Sequence, residues 1–268
     1  MGALWVGSAS MSKLADRIRL ALRTEQPPMG FAAASARAAR PSLLVGVVVS
    51  SLSAERAGEA ASRGADTCLF AASDPKEGEL QEALTALGDT PAGLLPRQTD
   101  RSSLDRLAEA GLDYLAFTLE TPAAALLHPQ LGRVLVLEGE LSDALLRTLD
   151  PMPVDAIYLR SWKGPLTVRG HMELQRIAGF SRKPLMIPVP AQVDGPELEA
   201  LREAGVVILA VDGDRRENLE ALPALRQAVS SLPARRRRRE ERPEAILPPP
   251  QPVAVAATEE EPEEEDEP

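Results

Sequence analysis

The chain is predicted to be an α/β protein folded as a compact, closed (β/α)8 barrel, and three observations carry that reading. The stretch from Pro196 to Gly213, PELEALREAGVVILAVDG, sets Leu198, Leu201 and Ala204 at helical spacing. Gly205, able to end a helix in the left-handed conformation, follows, and then a six-residue apolar run suited to a strand buried on both faces. The same order of helix, turn and strand recurs at Leu104 to Leu119 and, more loosely, at Ala57 to Ala71. Over residues 43–232 strand and helix alternate eight times, which demands a parallel sheet with right-handed crossovers and meets the number at which such a sheet closes. Finally, 44% of the residues are hydrophobic yet only eight are aromatic, so the core must be built from Leu, Val, Ile and Ala, the types that fill barrel interiors.

Taken in order, residues 1–41 form an N-terminal segment with one helix. Residues 1–10 are small and uncommitted, and Met11, followed by SKLADRIRLALR, looks a more natural beginning than Met1. From Ser12, an N-cap, a helix places Leu14, Ile18, Ala21 and Leu22 on one face, with Lys13, Arg17 and Arg23 mostly elsewhere. That face is expected to pack on the bottom or side of the barrel; as a basic amphipathic helix it could instead lie on an anionic membrane, but it is short and has no aromatic anchor. Pro27 and Pro28 stop it.

Residues 42–233 are the barrel. Strands are expected at Leu43–Val49, Asp66–Ala71, Gly93–Pro96, Tyr114–Leu119, Arg133–Leu137, Ala156–Leu159, Leu185–Val189 and Val206–Val211, each a short apolar run. Helices follow each strand, at Ser53–Arg63, Lys76–Leu87, Ser102–Ala110, Thr121–Leu127, Ser142–Leu149, Thr167–Phe180, Pro196–Ala204 and Arg215–Ser231. The third strand and fourth helix are the weakest signals; were two pairs spurious, an open doubly wound sheet would replace the barrel. Residues 234–268 change character: a five-Arg run, a polyproline patch and eight acids in the last ten residues offer little to bury and are expected to be a disordered, charged tail, a contact for a protein partner at most.

Charge and composition exclude several classes. The net charge of -10 argues against a general nucleic-acid binder, which needs a positive face for phosphate. Cys68 is the single cysteine and lies in an apolar run, so it reads as a small buried side chain and no intramolecular disulfide can form. No stretch has the length of a transmembrane helix and no basic region precedes a long apolar one, so a cytoplasmic setting is expected. Two histidines, His128 and His171, far apart in sequence, and one cysteine make no convincing zinc site. His128, at a helix end before Pro129, is expected to be partly exposed, and His171 to lie on a helix surface.

In barrels of this kind chemistry sits where the strands end. Leaving the eight strands in order are Ser50 and Ser51, Ser73 and Asp74, Arg97 and Gln98, Glu120, Glu138 and Glu140, Arg160 and Lys163, Gln192 and Asp194, and Asp212 and Asp214. In this register Arg97, Glu120, Glu138, Arg160 and Asp212 converge on one rim. Two guanidinium groups among three carboxylates could bind an anionic substrate while Glu120, Glu138 or Asp212 moves a proton, though alternating rim charges also satisfy one another structurally. Glu138 and Glu140, projecting from a strand end, would point both carboxylates to one side, which suits Mg²⁺; alternatively Glu140 only begins the next helix.

Over about residues 43–232 the chain resembles, in general layout, the TIM barrels of aldolase-like and flavin-binding type. Its loops after strands seven and eight, VPAQVDGPE and VDGDRREN, depart from the glycine-rich phosphate signature of those barrels. Gly195 and Gly213 fit in type, but Asp194, Asp212 and Asp214 would repel a phosphate unless Arg215 and Arg216 offset them, so neither FMN nor another cofactor is assigned. The resemblance also implies a role for Lys163, because Schiff-base aldolases of this superfold use a lysine near that location. A loop lysine beside Gly164 is expected to be solvated, which leaves it as a substrate contact with Arg97 and Arg160. Two functions fit these residues: a lyase or isomerase acting on a small anionic metabolite, or a barrel without catalysis that serves as a binding or scaffold module through its basic N-terminal helix and charged tail. A concave mouth holding an arginine and a carboxylate favours the first, a mouth plugged by side chains the second.

Overall fold

The computed structural model describes residues 12–23, 42–72 and 76–233. Eight parallel strands close on themselves in sequence order, β1 (Leu44–Val49), β2 (Thr67–Phe70), β3 (Ala92–Leu94), β4 (Tyr114–Phe117), β5 (Gly132–Leu137), β6 (Ala156–Leu159), β7 (Leu185–Pro188) and β8 (Val206–Asp212), with β8 paired back onto β1. The fold is a TIM barrel, and the open-sheet alternative is set aside by that closing pair. The helices are α1 (Lys13–Leu22), α2 (Ala54–Ser62), α3 (Glu77–Leu87), α4 (Arg101–Glu109), α5 (Asp143–Leu149), α6 (Val168–Ser181), α7 (Gly195–Glu203) and α8 (Arg216–Ser230). Between β4 and β5 the expected helix is a single 3-10 segment, Ala123–Leu127. Ser53, Asp100, Ser142, Thr167 and Asp194 each stand at a helix N-cap and accept the backbone N–H three residues on. The repeated glycine ends its helices as expected, with φ of +91° at Gly64, +98° at Gly111 and +97° at Gly205.

Strand alternation divides the apolar residues into two cores. Outward side chains such as Val45, Val47, Leu135, Ile157, Leu209 and Val211 pack under the helices, while Leu44, Leu69, Tyr114, Val134, Val136, Tyr158, Met186 and Ile208 fill the bore. The inward positions fall into layers contributed by alternate strands. Low in the bore Tyr114 is fully buried, its hydroxyl 3.0 Å from Thr67 Oγ1 and donating to the Cys68 carbonyl at 3.3 Å. Its ring fills the place a side chain at position 93 would take: a Cβ on Gly93 would lie 2.0 Å from Tyr114 Cε2. Higher up, Val48, Leu95, Val136 and Pro188 form the last apolar layer, and beneath it Ala116 and Ala210 are too small to meet across the axis. The bore is therefore closed below and open at its upper end.

The lower end is closed by α1. Leu14, Ile18 and Ala21 are buried and join the inner core, while Leu22, expected on the same face, is 38% exposed. Asp113, the residue before β4, holds this helix by its first turn, accepting from Ser12 Oγ at 2.8 Å, Lys13 N at 2.7 Å and Leu14 N at 2.9 Å. Asp66 and Asp155 occupy the same place before β2 and β6, where each accepts the backbone N–H of the neighbouring strand, Val45 at 2.8 Å and Arg133 at 2.7 Å. Burial holds the Asp155 carboxyl above the usual carboxylate range, against the hydrogen bond from Arg133 N that pulls it down. Among the described residues no helix is long and apolar enough to cross a membrane. Residues 1–11, with Met11, the connector 24–41, Ser73, Asp74 and the tail 234–268 lie outside the described residues.

Candidate functional site

A cavity of about 360 Å³ opens at the C-terminal ends of the strands. Its depth comes from the short side chains of the last layers, and Val48, Leu69, Leu95, Val136, Pro188 and Ala210 line it. Around this apolar lining stand Ser50, Tyr158, Arg160, Asp212 and Asp214. Three strands place them: β6 turns Tyr158 inward and ends one residue before Arg160, β8 ends on Asp212, and Ser50 follows β1.

Of the residues singled out from the sequence, Glu138, Arg160 and Asp212 come together. Arg160 Nη1 lies 3.3 Å from Glu138 Oε1, both side chains being half exposed. Asp212 is exposed; its Oδ1 accepts from Asp214 N at 3.0 Å, and Arg215 Nε lies 3.5 Å from its Oδ2. Asp214 in turn accepts from Ser50 N at 3.1 Å and from Arg56 Nη1, so its charge is spent on tying β8 to β1. Arg97, Glu120 and Lys163 are exposed, do not line the cavity, and make no hydrogen bond or ion pair to the described residues. The strands beside the first two end sooner than expected, at Leu94 and Phe117, so both side chains lie out on the loops.

Tyr158 was not singled out from the sequence. It is 6% exposed, and burial pushes its phenol above the ordinary value. Arg160 opposes that shift while Asp212 and Glu138 add to it. The hydroxyl therefore stays protonated through the neutral range and carries a hydrogen it can donate. The signal that could have found it is positional: in the strand AIYL, Ala156 and Tyr158 point inward and Ile157 and Leu159 outward, so a polar tip stands at the top of the bore two residues before an arginine.

Two further expectations resolve differently. Glu138 and Glu140 do not form a strand-end pair, because β5 stops at Leu137 and Gly139 takes a φ of +79°, which breaks the alternation on which a shared side depends. No group of three or more His, Cys, Asp or Glu side chains among the described residues could hold a metal ion. His128, expected to be partly exposed, is 2% exposed: its Nε2 lies 3.0 Å from Asp105 Oδ1, and its carbonyl accepts from Arg133 Nη2 at 2.9 Å. The turn that follows the 3-10 segment tucks its ring against α4. His171 lies half-buried in the first turn of α6, and Cys68 is fully buried, its thiol pushed up to about 12 by desolvation.

The loops that hold phosphate in many barrels are filled by this chain's own carboxylates. Asp194 caps α7 by accepting from Glu197 N at 2.8 Å, and Asp212 and Asp214 close the turn into α8. Arg215 lies against Asp212 and Glu217, and Arg216 pairs down the helix with Glu220 at 3.3 Å. No side chain caps the start of α8, but Asp212 and Asp214 stand beside it and oppose a dianion.

The sequence matches no protein-family model and no curated protein. In structure the chain is similar to tryptophan synthase from M. tuberculosis, at a TM-score of 0.54 and 15% identity over 73% of this chain and 94% of that one. It is also similar to KGPDC from Streptococcus mutans, with a TM-score of 0.56 and 7% identity over 70% and 97% of the two chains. A mutant tryptophan synthase alpha-subunit from Pyrococcus furiosus gives a TM-score of 0.53 and 14% identity over 71% and 97%. At such identities the likeness is one of fold.

Proposed function

We propose that this protein is a barrel enzyme of lyase or isomerase type acting on a small anionic metabolite, in a cytoplasmic setting. The observation that carries the reading is the open mouth: about 360 Å³ of space with Arg160 and Asp212 both lining it. They leave strands two apart in the barrel, roughly 10 Å at the usual strand spacing, a separation a small molecule can bridge. In this reading Arg160 holds the substrate's anionic group and Glu138 steadies the guanidinium. Asp212 takes a proton from a carbon next to a carbonyl, and the electron pair of that C–H bond moves onto the carbonyl oxygen, which accepts a hydrogen bond from Tyr158. Arg97, Glu120 and Lys163 receive no role.

That the fold neighbours include a synthase, and KGPDC in complex with a bound compound, supports an enzyme with a small-molecule substrate. The apolar face of α1 closes the barrel while Lys13 and Arg19 stay exposed, so a scaffold role through the basic helix and the charged tail stands as the second reading. A protein partner for the charged tail is compatible with either reading.

The test is a thermal-shift screen against anionic metabolites and divalent metals, repeated on Arg160→Ala and Asp212→Asn. A ligand at a hundred times its Kd stabilises by about 2.7 kcal/mol, which in a domain of this size raises Tm by roughly 5–10 °C. Arg160→Ala should abolish that shift, whereas Asp212→Asn should keep binding and lose turnover. A shift that survives Arg160→Ala, or none from any compound, would sink the reading.

A further inference from the structure

We infer that the barrel mouth takes a monoanionic carboxylic acid with an apolar body of about a dozen non-hydrogen atoms, and that it discriminates against sugar phosphates. The inference rests on the reading of the mouth as a substrate site and specifies the substrate's class.

The volume sets the size. About 360 Å³ corresponds to roughly twelve waters at their share of liquid volume, enough for an aliphatic acid of eight carbons or a phenyl-substituted propionate. The lining sets the body. Below the charged rim Tyr158 is the one polar side chain among the described residues that line the cavity, beside Val48, Leu69, Leu95, Val136, Pro188 and Ala210. A sugar pressed into that space would leave several hydroxyls without partners, whereas an alkyl or aryl group loses nothing by leaving water.

The rim sets the head. Among the described residues Arg160 is the one cation lining the cavity, and its ion pair there, 3.3 Å to Glu138 through Nη1, leaves much of its planar fork open. A carboxylate fills such a fork with two parallel hydrogen bonds. A phosphate dianion would enter beside Asp212 and Asp214, whose carboxylates repel it; Asp194 caps α7, and the start of α8, which no side chain caps, lies directly behind those two carboxylates. The protonated hydroxyl of Tyr158 can donate to the acid's carbonyl region and gives an oxyanion no positive charge beyond that of Arg160.

The experiment is calorimetric titration of the full chain with butyrate, hexanoate, octanoate, 3-phenylpropionate, ribose 5-phosphate and inorganic phosphate. Arg160→Ala, Val48→Thr and Leu95→Gln are titrated in parallel, each first checked for a retained thermal transition. From butyrate to octanoate the affinity should rise about three- to fourfold per methylene. Arg160→Ala should weaken every acid at least tenfold, and the two polar substitutions, of which Val48→Thr is close to isosteric, should flatten the chain-length dependence. Ribose 5-phosphate binding more tightly than hexanoate, and losing affinity in Arg160→Ala, would overturn the inference and leave the enzyme reading standing. Binding of none of the six would overturn both. Acids that bind equally well to Arg160→Ala would place their site elsewhere and also overturn it.

Discussion

At the N-terminal end of the barrel, Asp66, Asp113 and Asp155 each stand one residue ahead of a strand, with carboxylates bonded to backbone N–H groups of a neighbouring strand or of α1. At the C-terminal end Glu138 and Asp212 stand one residue beyond a strand or at its last position, half or more exposed; Asp212 lines the cavity and Glu138 meets it through Arg160. The same residue type therefore serves closure at one end and display at the other. The difference follows from what lies above each layer. Below, α1 seals the bore and every buried polar group must be satisfied by the chain itself; above, small side chains leave a hollow where water or a ligand can satisfy them. Substitutions at the lower end should cost stability and spare binding, and substitutions at the mouth should do the reverse.

The largest effect should come from the seal. Leu14→Ala removes a side chain that is 1% exposed and should cost about 2–5 kcal/mol, visible as a drop in Tm of roughly 5–15 °C. Asp113→Ala strips three hydrogen bonds from the start of α1 and should cost about 2–3 kcal/mol, with amide exchange rising first in residues 13–22. Neither should change ligand affinity at the mouth by more than about twofold once the protein is folded; a large change in affinity would break the comparison.

At the opposite end, Arg160→Ala should alter stability by less than about 1 kcal/mol, since it breaks only an exposed ion pair. Asp212→Asn should lower turnover by at least roughly a hundredfold with Tm nearly unchanged, in keeping with loss of a general base. A steep loss of stability in either would show that the rim charges hold the barrel together.

A smaller effect concerns pH. Asp155 is held above its ordinary value by burial, so its proton is bound more tightly in the folded protein than in the unfolded chain. The stability this contributes is complete below about pH 4 and is lost as the pH rises through the raised value. Asp155→Asn keeps an oxygen to accept from Arg133 N, so it should remove that part of the pH dependence and match or exceed the parent's stability at pH 7 by urea titration. Smallest of all, Cys68 should show no reaction with a disulfide reagent at pH 8 under native conditions, and full reaction once the barrel is unfolded.

Much of the architecture was legible because each unit announces itself locally. A glycine that can turn left-handed separates a 3.6-period helix from a continuous apolar strand, and the strand at Ala156–Leu159 and the helices from Ser53, Ser142 and Thr167 needed nothing more. The segment Thr121–Leu127 misled because AAALL has the apolar content of a helix but is bounded by Pro122 and Pro129, which confine it to one short 3-10 segment. His128 misled for a related reason: its position in sequence says helix end, while its burial depends on Asp105, 23 residues earlier.

The candidate site divides along the same line. Charge type and strand-exit position are local properties, so Glu138, Arg160 and Asp212 could be named from the residues alone. Which exits share a mouth depends on where each strand stops and how each loop leaves, and Arg97, Glu120 and Lys163 were lost at that step. For Tyr158 the alternation in AIYL gives only which residues share a face, and the closing of the sheet decides that this face looks inward.

What the amino-acid order alone determined is the alternation of eight strands with the segments that follow them, since hydrophobic period and turn chemistry act within a few residues. What only the closed barrel decided is the empty space: α1 turned into a seal, Asp113 into its clasp, and Tyr158, Arg160 and Asp212 into neighbours. A cavity is a deficit of volume summed over side chains far apart in sequence, and no local pattern records that sum.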